Sequence, residues 1–312
     1  MELRAKTLVR GALTFLPVIG KRIAFSKTGG TNSARYCYAV WMRHWIRLKE
    51  RFPDAPWSTV AEVGPGDSLG IGLCALLLGA SRYCAIDVQM LANTDMNLQV
   101  LKELVPMLKR RETIPDQNEY PKVFPHLSAY EFPKHLLEIN EIEKRERDIA
   151  RALIEIDGSP LTDHMIGYYL TESSSAIPSA SVDVLFSQAV MSYVDDLENM
   201  YAFMGRIVKP GGFISHTIPC NCIGTTRHWN GHYSVPNWQW RLAKGNRPCF
   251  ISRTPCSRHL ELISKAGFDL IVVERATRHD GINRSQLAKK FKSLSDDDLN
   301  TSGVYVLARR KA

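Results

Sequence analysis

The chain has 312 residues, of which 45% are hydrophobic and 23% are charged. These proportions describe a globular protein of one large or two small domains, and they exclude a disordered, collagen-like or coiled-coil chain. No stretch of the sequence approaches the roughly 18 to 20 consecutive apolar residues that a membrane-spanning helix needs, so we do not expect a spanning protein.

The net charge of +8 is concentrated near the amino terminus. Residues 1–51 contain eleven Lys and Arg against two Glu, whereas the remaining 261 residues contain 29 basic and 30 acidic groups. A near-neutral body with a basic leader predicts that residues 1–51 contact an anionic surface rather than nucleic acid. That surface would be a charged polymer or the phospholipid headgroups at the inner face of the cell membrane. The alternative is a solvated basic arm.

The seven cysteines are scattered along the chain and do not form a disulfide framework. We expect a reducing cytoplasmic compartment, because the first 25 residues also lack a small-residue cleavage site. Cys220, Cys222, Cys249 and Cys256 would in principle supply four thiolates, but zinc sites usually have a gap of about two to four residues within both pairs. We therefore expect buried thiols and no bound metal.

The amino-terminal segment predicts a helix that follows a glycine-rich turn. The turn is KTGGTNSA at residues 27–34, which also supplies an Asn or Ser suited to capping. Residues 35–51 place apolar side chains at helical spacing and arginines on the opposite side, which is typical of an amphipathic helix; the apolar positions are Tyr38, Trp41, Met42, Trp45 and Leu48. Two prolines follow, so we place a basic helical segment at 1–56 and the main domain at 57–312.

From residue 57 onward, short apolar runs alternate with helical patterns. The runs predicted as strands are 58–64, 82–88, 165–170, 182–187, 213–218, 269–276 and 302–310. The stretches predicted as helices between them include 68–80, 195–208 and 254–268. Strands that alternate with helices predict a doubly wound, Rossmann-like α/β fold with a mostly parallel seven-stranded sheet. We expect the last two strands to form a hairpin-like pair at the sheet edge.

Nearly eighty residues separate the second predicted strand from the third, although a crossover between parallel strands needs only about a dozen. We predict helices at about 96–111 and 135–155 in this interval, separated by a proline-rich loop. We expect the resulting helical insertion, residues 93–164, to lie at the carboxyl edge of the sheet and to act as a lid. The alternative is a surface pair of helices that only buttresses the sheet.

The first predicted strand ends in a glycine-rich turn, Glu62-Val63-Gly64-Pro65-Gly66-Asp67-Ser68. Gly64 and Gly66 allow positive φ angles and a close approach of a ligand to the backbone, and the following helix offers free amides. Asp67 would repel a pyrophosphate but suits an ammonium group. Asp87 ends the next strand, 21 residues after Gly66, where a carboxylate can bind both hydroxyls of a ribose. Together these features indicate a nucleoside that carries an amino acid.

Four segments of the chain, in order, resemble the motifs of class I S-adenosylmethionine-dependent methyltransferases. They are EVGPGDSLG at 62–70, AIDV at 85–88, SVDVLFSQAVMSYVDDL at 181–197 and IVKPGGFISHTI at 207–218. The agreement in order and spacing extends over residues 57–312. It implies that the cofactor is S-adenosylmethionine.

The resemblance also implies which residues surround the cofactor. They are Glu62, Gly64, Gly66, Asp67 and Ser68 around the methionine portion, Asp87 and Val88 at the ribose, residues 171–175 along the adenine, and Ser187, Gln188 and Ala189 facing the sulfonium and the incoming nucleophile. The last of these segments is not Asn-Pro-Pro-Tyr, the tetrapeptide of many enzymes that methylate nucleic-acid amines. Its absence argues against a base amine as the acceptor.

A second resemblance concerns the acceptor. TGGTNSARYCYAVWMRHW at 28–45, followed later by SH, HWNGHY and NRP, is similar to a pattern in bacterial methyltransferases associated with surface polysaccharide assembly. It implies an O-methyltransferase that acts on a sugar hydroxyl of a surface glycan or of its lipid-linked precursor. The alternatives are a small-molecule methyltransferase of secondary metabolism and a noncatalytic S-adenosylmethionine-binding partner of a glycan assembly complex.

A hydroxyl acceptor needs a general base, and three histidines follow the fourth strand. His228 and His232 lie in a stretch whose aromatic side chains suit stacking against sugar rings; these are Trp229, Tyr233, Trp238 and Trp240. We prefer His232 or His228 to His216, because this chain has Pro-Cys-Asn-Cys at 219–222 where the similar proteins commonly carry an acidic residue. The alternatives are a core histidine at position 216 and tryptophans that only pack.

Overall fold

The computed structural model describes residues 2–16, 30–135, 141–156 and 164–312. The strands in these ranges are β1 (Thr59–Val63), β2 (Arg82–Asp87), β3 (Ile166–Leu170), β4 (Val182–Gln188), β5 (Val208–Pro219), β6 (Phe268–Thr277) and β7 (Thr301–Arg310). The α-helices in the same ranges are α1 (Ala5–Leu13), α2 (Ala34–Arg51), α3 (Gly70–Leu78), α4 (Thr94–Lys109), α5 (Ile142–Ile154), α6 (Leu197–Ile207), α7 (Asn237–Lys244), α8 (Cys256–Lys265) and α9 (Asp296–Asn300).

The seven strands form one sheet in the order β3-β2-β1-β4-β5-β7-β6. The strands from β3 to β5 in this order run parallel, and β7 is antiparallel to both β5 and β6. The prediction of a doubly wound, mostly parallel seven-stranded sheet is therefore confirmed. The last two strands pair with each other as expected, with β6 at the edge and β7 inserted between β5 and β6.

Helices cover both faces of the sheet, because alternate residues of a strand point to opposite faces. On one face, Val60 and Phe186 pack in a core that contains Trp41 and the rest of the apolar side of α2, together with α3. On the other face, Ala61 and Leu185 pack against α6 and α8. The carboxyl ends of the parallel strands therefore meet at one edge between two helical layers, which is where ligands bind in folds of this type.

Helix α2 agrees with the helix predicted at 35–51 and begins where the sequence supplies a cap. The Ser33 side chain accepts a hydrogen bond from the amide of Tyr36. Gly30 of the predicted glycine-rich turn has a φ of 113°, in the left-handed region that favours glycine. Gly29 lies outside the described residues.

The side of α2 that was expected to be polar is buried in part. The Arg43 guanidinium is fully buried and donates to three carbonyl oxygens of the proline-rich loop, those of Pro115, Val123 and Pro125. Lys49 is also buried and donates to two backbone carbonyls that follow the helix. The prediction of a polar side is therefore wrong at Arg43, because a loop more than seventy residues later in the chain covers it, whereas Arg51 is exposed as expected.

The interval between β2 and β3 contains the two expected helices. α4 and α5 lie close to the predicted 96–111 and 135–155, although residues 136–140 of the second prediction are outside the described residues. In the part of the chain that the structure describes, no helix is long and apolar enough to cross a membrane.

Helix α5 lies toward the amino edge of the sheet. Arg145 donates to the carbonyl oxygens of Leu76 and Ala80, and Ala80 shortly precedes β2. This is the placement that the buttress alternative expects. The proline-rich loop reaches the carboxyl edge instead, where the Thr217 hydroxyl at the end of β5 donates to the Phe124 carbonyl at 3.0 Å.

Candidate functional site

The turn after β1 requires glycine at two positions. Gly64 and Gly66 have φ angles of 75° and 76°, in the left-handed region that other residues rarely adopt. A Cβ atom on Gly64 would also lie 2.4 Å from Cγ2 of Val190, in the loop after β4. The two glycines therefore let the ends of β1 and β4 approach each other at the carboxyl edge.

The amides at the start of α3 are occupied by side chains of the protein. The Ser68 N–H donates to the Thr31 hydroxyl at 3.1 Å, and the Leu69 N–H donates to Asn97 Oδ1 at 2.8 Å. The Ser68 hydroxyl is buried and donates to the Thr31 carbonyl, so it faces the turn before α2. A phosphate group would find these donors already used, which supports the expectation of a ligand without a pyrophosphate at this turn.

Glu62 is buried beneath the same turn. Its Oε2 accepts a hydrogen bond of 2.5 Å from the Tyr83 hydroxyl on the neighbouring strand. Burial raises the pKa of Glu62 to about 8, so the carboxyl group is mostly protonated at neutral pH. Asp67 is half-buried and lies nearer to solvent. Of these two acids, Asp67 is therefore the better partner for an ammonium group.

Asp87 ends β2 with its carboxylate held by backbone donors. Oδ1 accepts from the Val88 N–H at 2.7 Å, and the amides of Gly66 and Gln89 also hydrogen-bond to the carboxylate. Burial raises the pKa of Asp87 in spite of these bonds. The side chain thus links the turn after β1 to the end of β2.

A cavity of about 430 Å³ opens beside Asp87, between the ends of β1 and β2 and the start of α6. It brings together three of the predicted cofactor residues, Gly64, Asp87 and Val88, with Thr171 from the segment predicted for adenine. Its walls are mainly apolar, as is usual for small-molecule sites. Its volume also falls within the range of about 300 to 1,000 Å³ that such sites span.

The three predicted residues at the end of β4 point in different directions. The Ser187 hydroxyl is buried and hydrogen-bonded to His216 Nδ1 at 2.8 Å, on the face that carries α6. Gln188 is half-buried and bonds to His44 of α2 on the opposite face. Ala189 has a φ of 59° and turns the chain toward the cavity. Of the three, Gln188 is a half-buried polar residue whose side-chain oxygen is bonded to His44.

The three candidate bases lie in separate surroundings, and none of them lines the cavity. His216 and His232 are buried, and burial lowers the pKa of each to about 3. His216 Nε2 and His232 Nδ1 have no hydrogen-bond partner among the described residues. His228 is exposed, and its Nδ1 lies 3.0 Å from the Glu2 carboxylate. The structure does not bring these histidines together, and a base among them stays a prediction.

The aromatic residues around His232 are mostly internal. Tyr233 is fully buried, and Trp240 packs on Phe250 with ring centroids 5.1 Å apart. Trp238, by contrast, is 66% exposed. Tyr233 and Trp240 therefore agree with the alternative in which the aromatic side chains only pack in the interior. Trp238 is exposed and is available to contact a ligand or a surface.

The cysteines considered for zinc do not converge. Cys220 and Cys256 form a hydrogen-bonded pair of buried thiols, whereas Cys249 lines the cavity. In the described ranges, no group of three His, Cys, Asp or Glu side chains is placed to hold a metal ion.

Three residues at the site were missed by sequence reasoning. Thr31 and Asn97 occupy the amides of the α3 turn, and His44 contacts Gln188 from α2. His44 has a detectable signal, because it falls on the apolar stripe of its helix between Trp41 and Leu48. A polar residue on a buried stripe needs a partner, and that requirement marks it for attention.

No protein-family model matches the sequence, and no curated protein matches it. Among solved structures, the chain aligns with an S-adenosylmethionine-dependent methyltransferase from Mesorhizobium loti, at 15% identity and a TM-score of 0.42, over 86% of this chain and 98% of the other. It also aligns with geranyl diphosphate C-methyltransferase from Streptomyces coelicolor A3(2), at 13% identity and a TM-score of 0.43, over 93% and 88% of the two chains. The strand order of the sheet is typical of the class I methyltransferase fold.

Proposed function

We propose that this protein is an S-adenosylmethionine-dependent O-methyltransferase that acts on a sugar hydroxyl of a surface glycan or of its lipid-linked precursor. One observation carries the cofactor part of the proposal: Gly64, directly after β1, and Asp87, at the end of β2, line one mainly apolar cavity at the carboxyl edge. The sugar acceptor is supported by the similarity of the sequence pattern to methyltransferases associated with surface polysaccharide assembly.

Residues at the cavity and on the neighbouring turn would meet the three parts of the cofactor. In this proposal the Asp87 carboxylate accepts hydrogen bonds from the ribose hydroxyls, and apolar side chains such as Val88 and Val190 suit the adenine ring. Asp67 lies on the turn where the ammonium group of the methionine portion would bind. The cofactor supplies a methyl group on a positively charged sulfur, so the protein has to align the acceptor and accept its proton.

Methyl transfer to a hydroxyl breaks the sulfur–methyl bond, forms an oxygen–methyl bond and releases the hydroxyl proton to a base. Burial lowers the pKa of His216 and His232 to about 3, so both imidazoles are neutral at neutral pH but bind a proton weakly. His228 is the accessible member of the three, with Glu2 beside it to stabilise the imidazolium that would form. Our preference for His232 or His228 therefore continues as part of the proposal.

We also propose that α1 and α7 hold the enzyme at the inner face of an anionic membrane. Exposed apolar side chains cluster on and beside these two neighbouring helices; they are Val9, Phe15, Leu16 and Trp238. Lys6, Arg10 and Arg241 are exposed on the same helices. Apolar side chains flanked by cations suit a surface of negatively charged headgroups. Lys21, Arg22 and Lys27 of the basic segment lie outside the described residues.

The two helices are joined by a close backbone contact. A Cβ atom on Gly11 would lie 2.2 Å from the Leu242 carbonyl oxygen, so α1 lies directly against α7. Lys244 at the end of α7 donates to Asp195, which lines the cavity. A membrane bound through these helices would therefore lie close to the cavity, as a lipid-linked acceptor requires.

The proposal is tested with purified protein, tritium-labelled S-adenosylmethionine and the cell-envelope glycan fraction of a strain that lacks the gene. We expect label to enter that fraction, and we expect the fraction of the parent strain to accept less because it is already methylated. Label in small apolar metabolites alone would favour a small-molecule methyltransferase. Cofactor binding without any transfer would indicate a noncatalytic partner.

A further inference from the structure

A second cavity, of about 330 Å³, opens where α7, the start of α8 and the loop before α9 meet. Three of the side chains that line it are cations, those of Arg253, Arg258 and Lys290. Two more are the aromatic rings of Trp240 and Phe291, and no acidic residue of the described ranges lines the cavity. We call it the basic cavity.

Arg253 is held in a fixed position at the basic cavity. Its guanidinium donates to the Val235 carbonyl oxygen and to Asn237 Oδ1, each at 2.6 Å. The guanidinium carbon also lies 5.0 Å from the ring centroid of Trp240 and 4.9 Å from that of Phe291. These contacts leave further N–H groups of the guanidinium without a hydrogen-bond partner in the described ranges. Arg253 is therefore an oriented cation that keeps unused donors.

The charge of Arg253 is not balanced by a neighbouring acid. In the part of the chain that the structure describes, neither Arg253 nor Lys290 forms an ion pair. Arg258, by contrast, pairs with Glu261 at 2.5 Å and with Glu198 at 3.7 Å. Arg253 is half-buried, and burial lowers its pKa to about 10, so it stays protonated at neutral pH. A cation withdrawn from water without an acidic partner is stabilised by an anion that binds beside it.

Two unpaired cations in one cavity favour an anion with two charges. Arg253 and Lys290 both lie over the Phe291 ring, with the guanidinium carbon 4.9 Å and Nζ 5.5 Å from its centroid. A single carboxylate would balance one of the two charges, whereas a phosphate monoester or a diphosphate can balance both. The planar fork of a guanidinium also matches two oxygens of a phosphate group.

A short segment of chain connects the basic cavity to the cavity beside Asp87. Pro248 and Cys249 line the cavity beside Asp87, and Arg253 lines the basic cavity. Four residues of fully extended chain span at most about 14 Å, so residues that line the two cavities lie close together. An anion bound at Arg253 would therefore lie near the proposed cofactor site.

We propose that the basic cavity is a binding site for a phosphate or diphosphate group, which Arg253 and Lys290 contact directly. Such a group has two sources, the diphosphate of a lipid-linked sugar and a free phosphate-bearing metabolite. The first source rests on the proposed function, because it makes the bound group part of the acceptor. The site itself does not depend on methyl transfer.

Isothermal titration calorimetry of the full-length protein with sodium pyrophosphate tests the site without cofactor or acceptor. We expect binding that weakens as salt is added. Arg253→Gln should weaken it by about 10- to 100-fold, and Lys290→Gln by about 3- to 10-fold. Lys290 is exposed, so its replacement tests the site even if Arg253→Gln does not fold. Lys289→Gln removes an exposed neighbouring charge that does not line the cavity, and this matched control should bind within about twofold of the parent.

Absence of pyrophosphate binding by the parental protein would overturn the proposal, and so would an affinity of Lys290→Gln no lower than that of Lys289→Gln. Vesicles distinguish the two sources. A lipid-linked ligand is supported if the parental protein, but not Lys290→Gln, sediments better with phosphatidylcholine vesicles that contain polyprenyl diphosphate than with phosphatidylglycerol vesicles of equal charge. Equal sedimentation with both, together with pyrophosphate binding, supports a free metabolite. Pyrophosphate binding without any methyl transfer would remove the proposed function and leave the site.

Discussion

Asp87 is the side chain on which the cofactor proposal depends most directly. Its carboxylate is partly withdrawn from solvent, yet it lines the cavity and is fixed by the amide of Val88. The amides of Gly66 and Gln89 also hydrogen-bond to the carboxylate, and its remaining lone pairs can accept hydrogen bonds from a ligand. A charged acceptor that is already oriented loses little entropy when it binds two hydroxyls.

Asp87→Ala should weaken S-adenosylmethionine binding by about tenfold or more, because hydrogen bonds to a charged group contribute about 1.5 to 3 kcal/mol and about 1.4 kcal/mol corresponds to one decade. Isothermal titration calorimetry measures the change. Asp54→Ala removes an exposed carboxylate before β1 and should bind the cofactor normally. Unchanged affinity in Asp87→Ala would exclude the assignment of the ribose site.

Alanine variants of His232, His228 and His216 test the general base. Removal of the base should lower methyl transfer by about 10² to 10⁴ with little change in cofactor affinity, because the base contacts the acceptor. Turnover and binding are measured separately for each variant. If all three keep near-parental turnover, the proton leaves to a carboxylate or to water, and none of the histidines is the base.

The sequence predicts those site residues whose position depends only on neighbouring residues of the chain. Gly64 directly follows β1, and Asp87 and Val88 lie at the end of β2. All three therefore meet at the cavity at the carboxyl ends of these strands. The orientation of the Ser68 side chain was not predictable from the local sequence. Its hydroxyl donates a hydrogen bond to the carbonyl oxygen of Thr31, which lies 37 residues earlier in the chain. Long-range partners of this kind leave no periodic pattern in the sequence.

The elements themselves follow the apolar pattern closely, since each predicted strand overlaps an observed one. The surroundings of the elements were harder to predict. Arg43 looks like a surface residue in a helical pattern, but it is the anchor for the proline-rich loop. The sequence also did not predict the position of α5. A segment inserted after the carboxyl end of a strand can still pack against the amino edge of the same sheet.

Reversing the charge of Lys6 and Arg10 together, to Glu, tests the membrane proposal without disturbing the packing of α1. Both side chains are exposed, and each basic group near an anionic surface contributes about 1 kcal/mol, so binding should fall more than about tenfold. Sedimentation with vesicles of phosphatidylcholine and phosphatidylglycerol at low salt measures the change in membrane binding.

The matched control for this experiment reverses Lys102 and Lys122, which are also exposed and change the net charge equally. Loss of binding in the α1 variant alone would locate the contact. Equal binding by parent and both variants would show that the amino-terminal basic groups are merely solvated. Vesicles of phosphatidylcholine alone should bind none of the three proteins strongly.

The molecule as a whole carries an unusual load of buried titratable groups. Burial lowers the pKa of His44 and His259 to about 4 and that of His216 and His232 to about 3, and it raises that of Glu62 to about 8. An unfolded chain protonates its histidines below about pH 6.5, whereas the folded chain does not until the pH is far lower. The unfolded chain therefore binds more protons in mild acid.

The free energy of unfolding should fall steeply as the pH is lowered from about 6.5 toward 4. At about pH 5 the four histidines give the unfolded state about four extra protons, and Glu62 gives the folded state about one, so the slope is on the order of 4 kcal/mol per pH unit. Urea unfolding at a series of pH values measures it. His259→Gln should lower the number of extra protons bound by the unfolded state by about one, and the slope should fall accordingly. A free energy of unfolding that does not change with pH in this window would contradict the burial of these histidines.

Because β7 comes last in the sequence and lies inside the sheet, the sheet cannot be completed until the end of synthesis. β7 is the last strand to be made, yet β5 and β6 both pair with it, and its Tyr305 hydroxyl lies 3.1 Å from Ser215 Oγ of β5. Helix α2 leaves the ribosome about 250 residues earlier, which at about 5 to 20 residues per second is a wait of roughly 12 to 50 seconds. During that time the tryptophans of α2 lack most of their final neighbours and are available to chaperones. A nascent chain released before residue 301 would lack the strand that joins β5 to β6.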